Sequence, residues 1–250
     1  MFTLFACAEP EPAPRDLDTV AHDLWVHYAA EDEPALIADV QDLRGLLDED
    51  ALPMEGIFTD LTAEEAAPAG FSGDPSIATG MFVATHVGCT PDEIEAIVKS
   101  QDQMTLYPEN YISYERNYTS DESAFVSGAA NHLSWEGTYE VEIPIIGTYI
   151  SSILGGMHRA DDGADGPYYY STTVMPSPAA TTPDTLTFDV DLQLEVFYPH
   201  DDGMVHLFGM WRHIVSGELD TDGSGMQALI IDGLIGWDGD TTTICEEGRI

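Results

Sequence analysis

Lysine is almost missing from this 250-residue chain. Lys99 is the only one, and with six arginines it faces 46 aspartates and glutamates, giving a formal charge of −39. Binding to nucleic-acid phosphates or to anionic lipid headgroups rests on Lys and Arg contacts. A surface this acidic repels both, which excludes direct nucleic-acid binding. Long apolar runs are missing as well: nothing approaches the roughly 20 apolar residues with which a helix crosses a bilayer. There is no Gly-x-Ser-x-Gly elbow, phosphate loop, dinucleotide fingerprint or Cys-x-x-Cys-His haem attachment. The eight histidines, at 22, 27, 86, 132, 158, 200, 206 and 213, never show the His-Glu-x-x-His spacing that puts two zinc ligands on one helical face. No catalytic residue is assigned from sequence.

What is present belongs to a folded protein. Hydrophobic residues make up 44% of the chain and aromatic residues 10%, and a chain of this length buries a sizeable core without staples. The carboxylates are dispersed. They read as a general adaptation in which hydrated acid side chains hold a protein in solution in salty surroundings, as in a marine or halophilic source, rather than as one cation site.

The three cysteines divide into one and two. Leu4-Phe5-Ala6-Cys7 resembles the end of a bacterial lipoprotein signal, with a short apolar run and a small residue before the cysteine to be acylated; the usual basic and longer apolar regions do not precede it. The resemblance implies lipidation of Cys7. The Glu/Pro-rich stretch that follows would serve as an extended tether, so that residues 1 to 15 are a signal remnant and acidic tether and the protein sits in the cell envelope or outside the cell. Membrane contact would then come only through the lipid anchor. Cys89 and Cys245 remain as a disulfide candidate for an oxidising compartment, two buried free thiols being the alternative.

Residues 16 to 66 read as a helical extension. Leu17, Val20, Leu24 and Tyr28 fall at helical spacing, as do Leu36, Val40, Leu43 and Leu47, which predicts two amphipathic helices packed on the main body. From about residue 67 to 250 the chain reads as a β-rich domain. Leu133, Trp135, Gly137, Tyr139, Val141 and Ile143 alternate with polar residues. Leu186, Phe188, Val190, Leu192, Leu194 and Val196 do the same and are expected to face inward, with Thr187, Asp189, Asp191, Gln193 and Glu195 outward. Further strands are expected near 80 to 87, 110 to 118, 167 to 175 and 204 to 218, with a tight hairpin at Asp202-Gly203. Thr90-Pro91-Asp92-Glu93 is a capping box that starts a helix.

Phe82-Val83-Ala84-Thr85-His86-Val87 leading into Thr90-Pro91-Asp92-Glu93, then Leu106-Tyr107-Pro108 and a long meander, resembles the START-like, helix-grip superfamily of lipid-binding and polyketide-cyclase-like domains over residues 78 to 237. The resemblance implies an α+β fold with a curved antiparallel sheet and an apolar ligand cavity. One departure stands against it: the family closes its cavity with a long C-terminal helix, whereas residues 226 to 250 carry Gly233, Gly236 and Gly239 and a strand-like Thr241-Thr242-Thr243. A short helix at 226 to 235, cover by the N-terminal helices, or a plain β-sandwich or barrel are the alternatives.

The expected ligand-binding residues are Tyr114, Trp135, Tyr139, Phe188, Trp211 and Arg212, the arginine to orient an anionic group or to pair with a carboxylate. Asp220, Asp222 and Ser224 match half of a calcium loop, without its bidentate glutamate, so weak Ca2+ binding is the most they imply. Asp161, Asp162 and Asp165 form a second acidic loop. The expectation is a non-enzymatic protein that binds a hydrophobic small molecule or lipid, with no resident cofactor and no identified protein partner. The alternatives are a solidly packed surface module, or a cyclase-like enzyme for which His86 and His132 are the candidate acid-base groups.

Overall fold

All the α-helices but the last begin where a short polar side chain closes off a backbone turn. Asp16 accepts from the Thr19 amide at 2.9 Å and opens α1 (Leu17–Ala29), while Asp32 does the same for α2 (Glu33–Leu46). The computed structural model describes residues 15–143, 146–163 and 166–250. The order continues with β1 (Met54–Phe58), α3 (Ala63–Ala66), β2 (Thr79–Val87), α4 (Pro91–Lys99), α5 (Gln103–Leu106), β3 (Ser113–Tyr118), α6 (Glu122–Val126), β4 (His132–Ile143) and β5 (Gly147–Asp161). It ends with β6 (Pro167–Val174), β7 (Ala180–Thr182), β8 (Leu186–His200), β9 (Gly203–Ser216), β10 (Leu219–Asp220) and α7 (Ser224–Glu247). Thr90 and Glu93 make the expected reciprocal capping box of α4.

The strands form one antiparallel sheet in the order β1-β2-β9-β8-β6-β5-β4-β3, with β7 beside β5 and β10 beside β9. The end strands β1 and β3 do not meet, so the curved sheet is open and is neither a sandwich nor a closed barrel. Wrapped around a long C-terminal helix, it is a helix-grip fold.

Two aspects of the chain differ from the expectation. Residues 54–58, within the segment read as a helical extension, form edge strand β1 and pair with β2 from Met54↔Ala84 to Phe58↔Gly80, so these five residues belong to the sheet. The pairing is close: a Cβ on Gly80 would lie 2.6 Å from the Phe58 carbonyl oxygen and 2.8 Å from Trp211 Nε1, a contact no side chain tolerates.

The second difference is α7, a single helix through the glycines and the threonine run. Its buried residues, Met226, Ile231, Asp238, Thr241, Ile244 and Cys245, form one stripe, while Gly233, Gly236 and Gly239 are exposed. Packing of that stripe outweighs the poor intrinsic propensity of glycine and threonine. Cys89 and Cys245, 5.5 Å apart at Cα, are disulfide-bonded and tie the end of α7 to the start of α4. Closing a loop of 156 residues in this way stabilises the fold by about 2–4 kcal/mol.

The sheet is covered on both faces. Helices α1 and α2 bury Val20, Leu24, Trp25, Leu36, Val40 and Leu43 against Leu192, Leu194, Val196, Leu207 and Trp211. The Tyr170 hydroxyl donates to the Leu36 carbonyl at 2.9 Å across this interface. At a buried leucine such as Leu36, truncation to alanine costs about 2–5 kcal/mol. Helices α4 and α7 occupy the other face, where packing is incomplete.

Candidate ligand-binding cavity

A bulge decides what faces the cavity. Between Phe188 and Val190 the register of β8 against β9 shifts, and an extra residue in one strand reverses its alternation. Leu186 and Phe188 pack with Tyr149 and Ile214 on the α7 side, whereas Val190, Leu192, Leu194 and Val196 pack under α1 and α2. Past the bulge, Gln193 and Glu195, expected to point outward, line the interior instead, and Asp191 is buried beside them, 1% exposed.

The result is a cavity of about 480 Å³ between the sheet and helices α4 and α7. This lies in the size range of small-molecule sites. Ile94, Ile97 and Val98 come from α4, and Ile230, Leu234 and Trp237 from α7; the sheet contributes Tyr139, Tyr149, Ile153, Phe197, Phe208, Met210 and Ile214. Glu109, Glu142, Leu229 and Gly233 line it and are exposed, which places its mouth there.

Polar groups converge at two places on this apolar wall. At one, Arg212 grips the buried Asp191 with Nε at 2.9 Å and a terminal nitrogen at 3.1 Å; Gln193 donates to the same carboxylate at 2.7 Å and the Tyr139 hydroxyl lies at 3.4 Å. Burial alone would lower the Arg212 pKa, but Asp191 reverses this and raises it. Burial drives the Tyr139 hydroxyl well above the ordinary phenol value, and that of Tyr149 up to about 12, so both stay protonated donors.

At the other place His206 Nδ1 lies 2.7 Å from Asp238 Oδ1, Thr85 donates to the second oxygen of Asp238 at 2.5 Å, and His206 Nε2 faces Glu195 at 3.6 Å. Burial lowers the His206 pKa, but the charges of Asp238 and Glu195 overcome it and the net direction is up. Burial also holds the Glu195 pKa above the ordinary carboxylate value, against the opposing pull of His206.

Of the six residues expected to bind a ligand, Tyr114, Tyr139 and Arg212 line the cavity. Trp135, Phe188 and Trp211 do not. Trp135 is 2% exposed in the neighbouring core, with the Arg116 guanidinium 4.1 Å above its ring. Phe188 sits behind Tyr149, ring centroids 4.7 Å apart. Trp211 alternates to the opposite face of β9, where it packs on Trp25 and Phe58 and donates to the Thr59 carbonyl at 2.7 Å.

His86 is exposed beside His200, and His132 lies under α1 near Tyr28 and Glu31. Neither reaches the cavity, which removes the reason for the cyclase-like alternative as framed on them. The interior is also not the solidly packed one of the surface-module alternative.

Asp220, Asp222 and Ser224 form the turn into α7, where Gly223 is the N-cap and Asp220 accepts from the Asp222 amide at 3.5 Å. Asp161 and Asp162 accept from the Gly163 amide and the Tyr168 hydroxyl, both at 2.7 Å; Asp165 lies outside the described residues, as does Cys7. Among the described residues no group of three or more His, Cys, Asp or Glu side chains is arranged to hold a metal ion. Also among the described residues, no helix is long and apolar enough to cross a membrane.

Sequence reasoning missed Glu195, His206 and Asp238. Glu195 was hidden by the bulge and Asp238 by the unrecognised helix. For His206, its odd-number spacing from His213 was a usable signal that the two face opposite sides of β9, but not of which side holds the cavity.

No protein-family model matches the chain, and no curated protein matches it. Solved structures resemble it in chain path. Human StAR-related lipid transfer protein 5 is 11% identical over 89% of this chain and 99% of its own, with a TM-score of 0.44. Human STARD10 is 9% identical over 68% of this chain and 66% of its own, TM-score 0.44. The STAR-related lipid transfer protein of Xanthomonas axonopodis is 10% identical over 58% and 73%, TM-score 0.37. At this identity and score, no ligand or activity passes from those proteins to this one.

Proposed function

We propose that this chain is a non-enzymatic binding protein that holds a hydrophobic small molecule or lipid in the cavity between its sheet and α7, and that it works in the cell envelope or outside the cell. The observation that carries the binding reading is the cavity itself: about 480 Å³, walled by isoleucine, leucine, methionine and aromatic side chains, with polar groups gathered at two points. Support for the location is independent of the cavity. It comes from the disulfide between Cys89 and Cys245, a bond at home in oxidising compartments, and from the resemblance of Leu4-Phe5-Ala6-Cys7 to an acylation site. Acylation of Cys7 would make the acidic segment after it a tether.

The neutral dye N-phenyl-1-naphthylamine brightens when it leaves water and tests the cavity directly. Saturable binding is expected, one dye per chain. Ile153 is 3% exposed and lines the cavity, so Ile153→Trp fills space that is open. Dye affinity should fall at least about tenfold while stability changes by no more than about 1–3 kcal/mol. Dye binding that Ile153→Trp leaves unchanged would place the dye elsewhere and refute the reading. Acylation is read separately, from the intact mass of the membrane-extracted protein against a Cys7→Ser variant.

A further inference from the structure

His206 is held on one side and unsatisfied on the other. It is 1% exposed, its Nδ1 is engaged by Asp238, and its Nε2 has no hydrogen-bond partner. Glu195 Oε2 stands 3.6 Å away, beyond hydrogen-bond length. The ring cannot turn to close that gap. Phe197 stacks on it at 3.9 Å with 7° between the planes, and Asp238 is itself fixed from the far side by Thr85. Orphaned polar groups at such burial are uncommon and costly. Both His206 and Glu195 line the cavity, so the missing partner comes from there.

We infer that Glu195, His206 and Asp238 form a hydroxyl-recognition subsite, and that the cavity's ligand is a neutral alcohol: an apolar body carrying a hydroxyl group. This rests on the ligand-binding reading above and names its ligand class. Asp238 accepts from Nδ1–H, and the raised His206 pKa favours a proton on Nε2, which then needs an acceptor; Glu195, hydrogen-bonded by the Ser171 side chain, has room for a further donor. A hydroxyl supplies both. An ammonium group has no acceptor, while an ether or a carboxylate has no donor.

An oxygen about 2.8 Å from each atom closes a triangle on the 3.6 Å edge. Nε2 is enclosed, so the oxygen arrives with a swing of the Glu195 carboxylate, the end of a flexible side chain. Arg116, the cation facing Glu195 from β3, does not compete. Its guanidinium is committed to the Tyr114 hydroxyl, the Val98 carbonyl and the face of Trp135.

The test is displacement of N-phenyl-1-naphthylamine, in high salt to screen the protein's net charge, by four probes of similar length: 1-decanol, its isomer methyl nonyl ether, decanoate and decylammonium. Decanol should displace the dye at least about tenfold better than the ether, the scale of a hydrogen bond to a charged group, and better than either ion. Glu195→Met should erase the advantage of decanol over the ether, both read relative to that variant's own dye affinity. Glu195→Gln, whose carbonyl still accepts, should keep most of it and shows that a hydrogen bond, not shape, is read. Equal displacement by decanol and ether from a cavity that binds dye would overturn the subsite and leave the cavity reading standing. A preference for decanoate or decylammonium would do the same. Failure of the dye to bind at all would overturn both.

Discussion

Replacing Arg212 by methionine leaves Asp191, 1% exposed, without its counter-ion. Two charge-assisted hydrogen bonds, at 2.9 and 3.1 Å, disappear, while those from Gln193 and Tyr139 remain. Breaking a buried ion pair from one side costs about 3–5 kcal/mol, because the remaining charge has been taken out of water without compensation. With two neutral donors still in place, the lower end, about 3 kcal/mol, is expected. For a domain of this size that is a fall of about 6–12 °C in Tm. The double variant Arg212→Met/Asp191→Leu removes the stranded charge as well and should return to within about 1 kcal/mol of the parent, since apolar replacement of a buried pair is often near neutral. Urea unfolding of the four proteins closes the cycle, with a coupling energy of about 2 kcal/mol or more. A cost below about 1 kcal/mol for Arg212→Met, or a double variant no better than the single, would refute the reasoning that this pair is desolvated and interdependent.

Gly236 and Gly239 are exposed on α7, and apart from their own stretch of helix backbone nothing lies within 4 Å of a Cβ built on either; Gly→Ala at each should therefore stabilise by about 0.5–1 kcal/mol, read by urea unfolding, and a loss of stability would mean the segment is not helical. His158 is 4% exposed with neither ring nitrogen hydrogen-bonded, and burial holds its pKa below the ordinary imidazole value against the opposing charge of Glu33. The stability this represents is whole above about pH 6.5 and is lost as pH falls through the depressed pKa. Relative to His158→Phe the parent should lose stability across that window, and parallel pH profiles would dismiss the idea. Raising NaCl from about 0.1 M to 1 M shortens the Debye length from about 10 Å to about 3 Å; with a formal charge of −39, Tm should climb, and a flat or falling Tm would show that self-repulsion of the acid surface is not a factor in stability.

Local signals were legible wherever one turn of chain contains the whole cause. The capping box at Thr90 and Glu93, the apolar stripes of α1 and α2, and the alternation of β4 all stand in the structure as the residues imply. The hairpin between β8 and β9 also forms, its two-residue turn being Asp201-Asp202 with Asp201 at positive φ. Of the cavity, Tyr114, Tyr139 and Arg212 were visible as large or charged side chains on strands. Trp135, Phe188 and Trp211 met the same description and lie elsewhere, because an apolar side chain suits a packed core and a cavity wall equally well.

By itself the sequence determined the excess of acid, the lack of a phosphate-loop motif and of a 20-residue apolar run, the helical and strand periods, and the type of fold that their order resembles. These follow from composition and from neighbours a few residues apart. Only the tertiary structure decided three further things. One extra residue near Asp189 turns Gln193 and Glu195 inward, since strand alternation has no memory across a bulge. The glycine-rich C-terminus is α7, because burying its apolar stripe against the sheet outweighs helix propensity. Asp238 meets His206, 32 positions away in the chain, because α7 crosses the open face of the sheet, a distance that no local pattern of residues encodes.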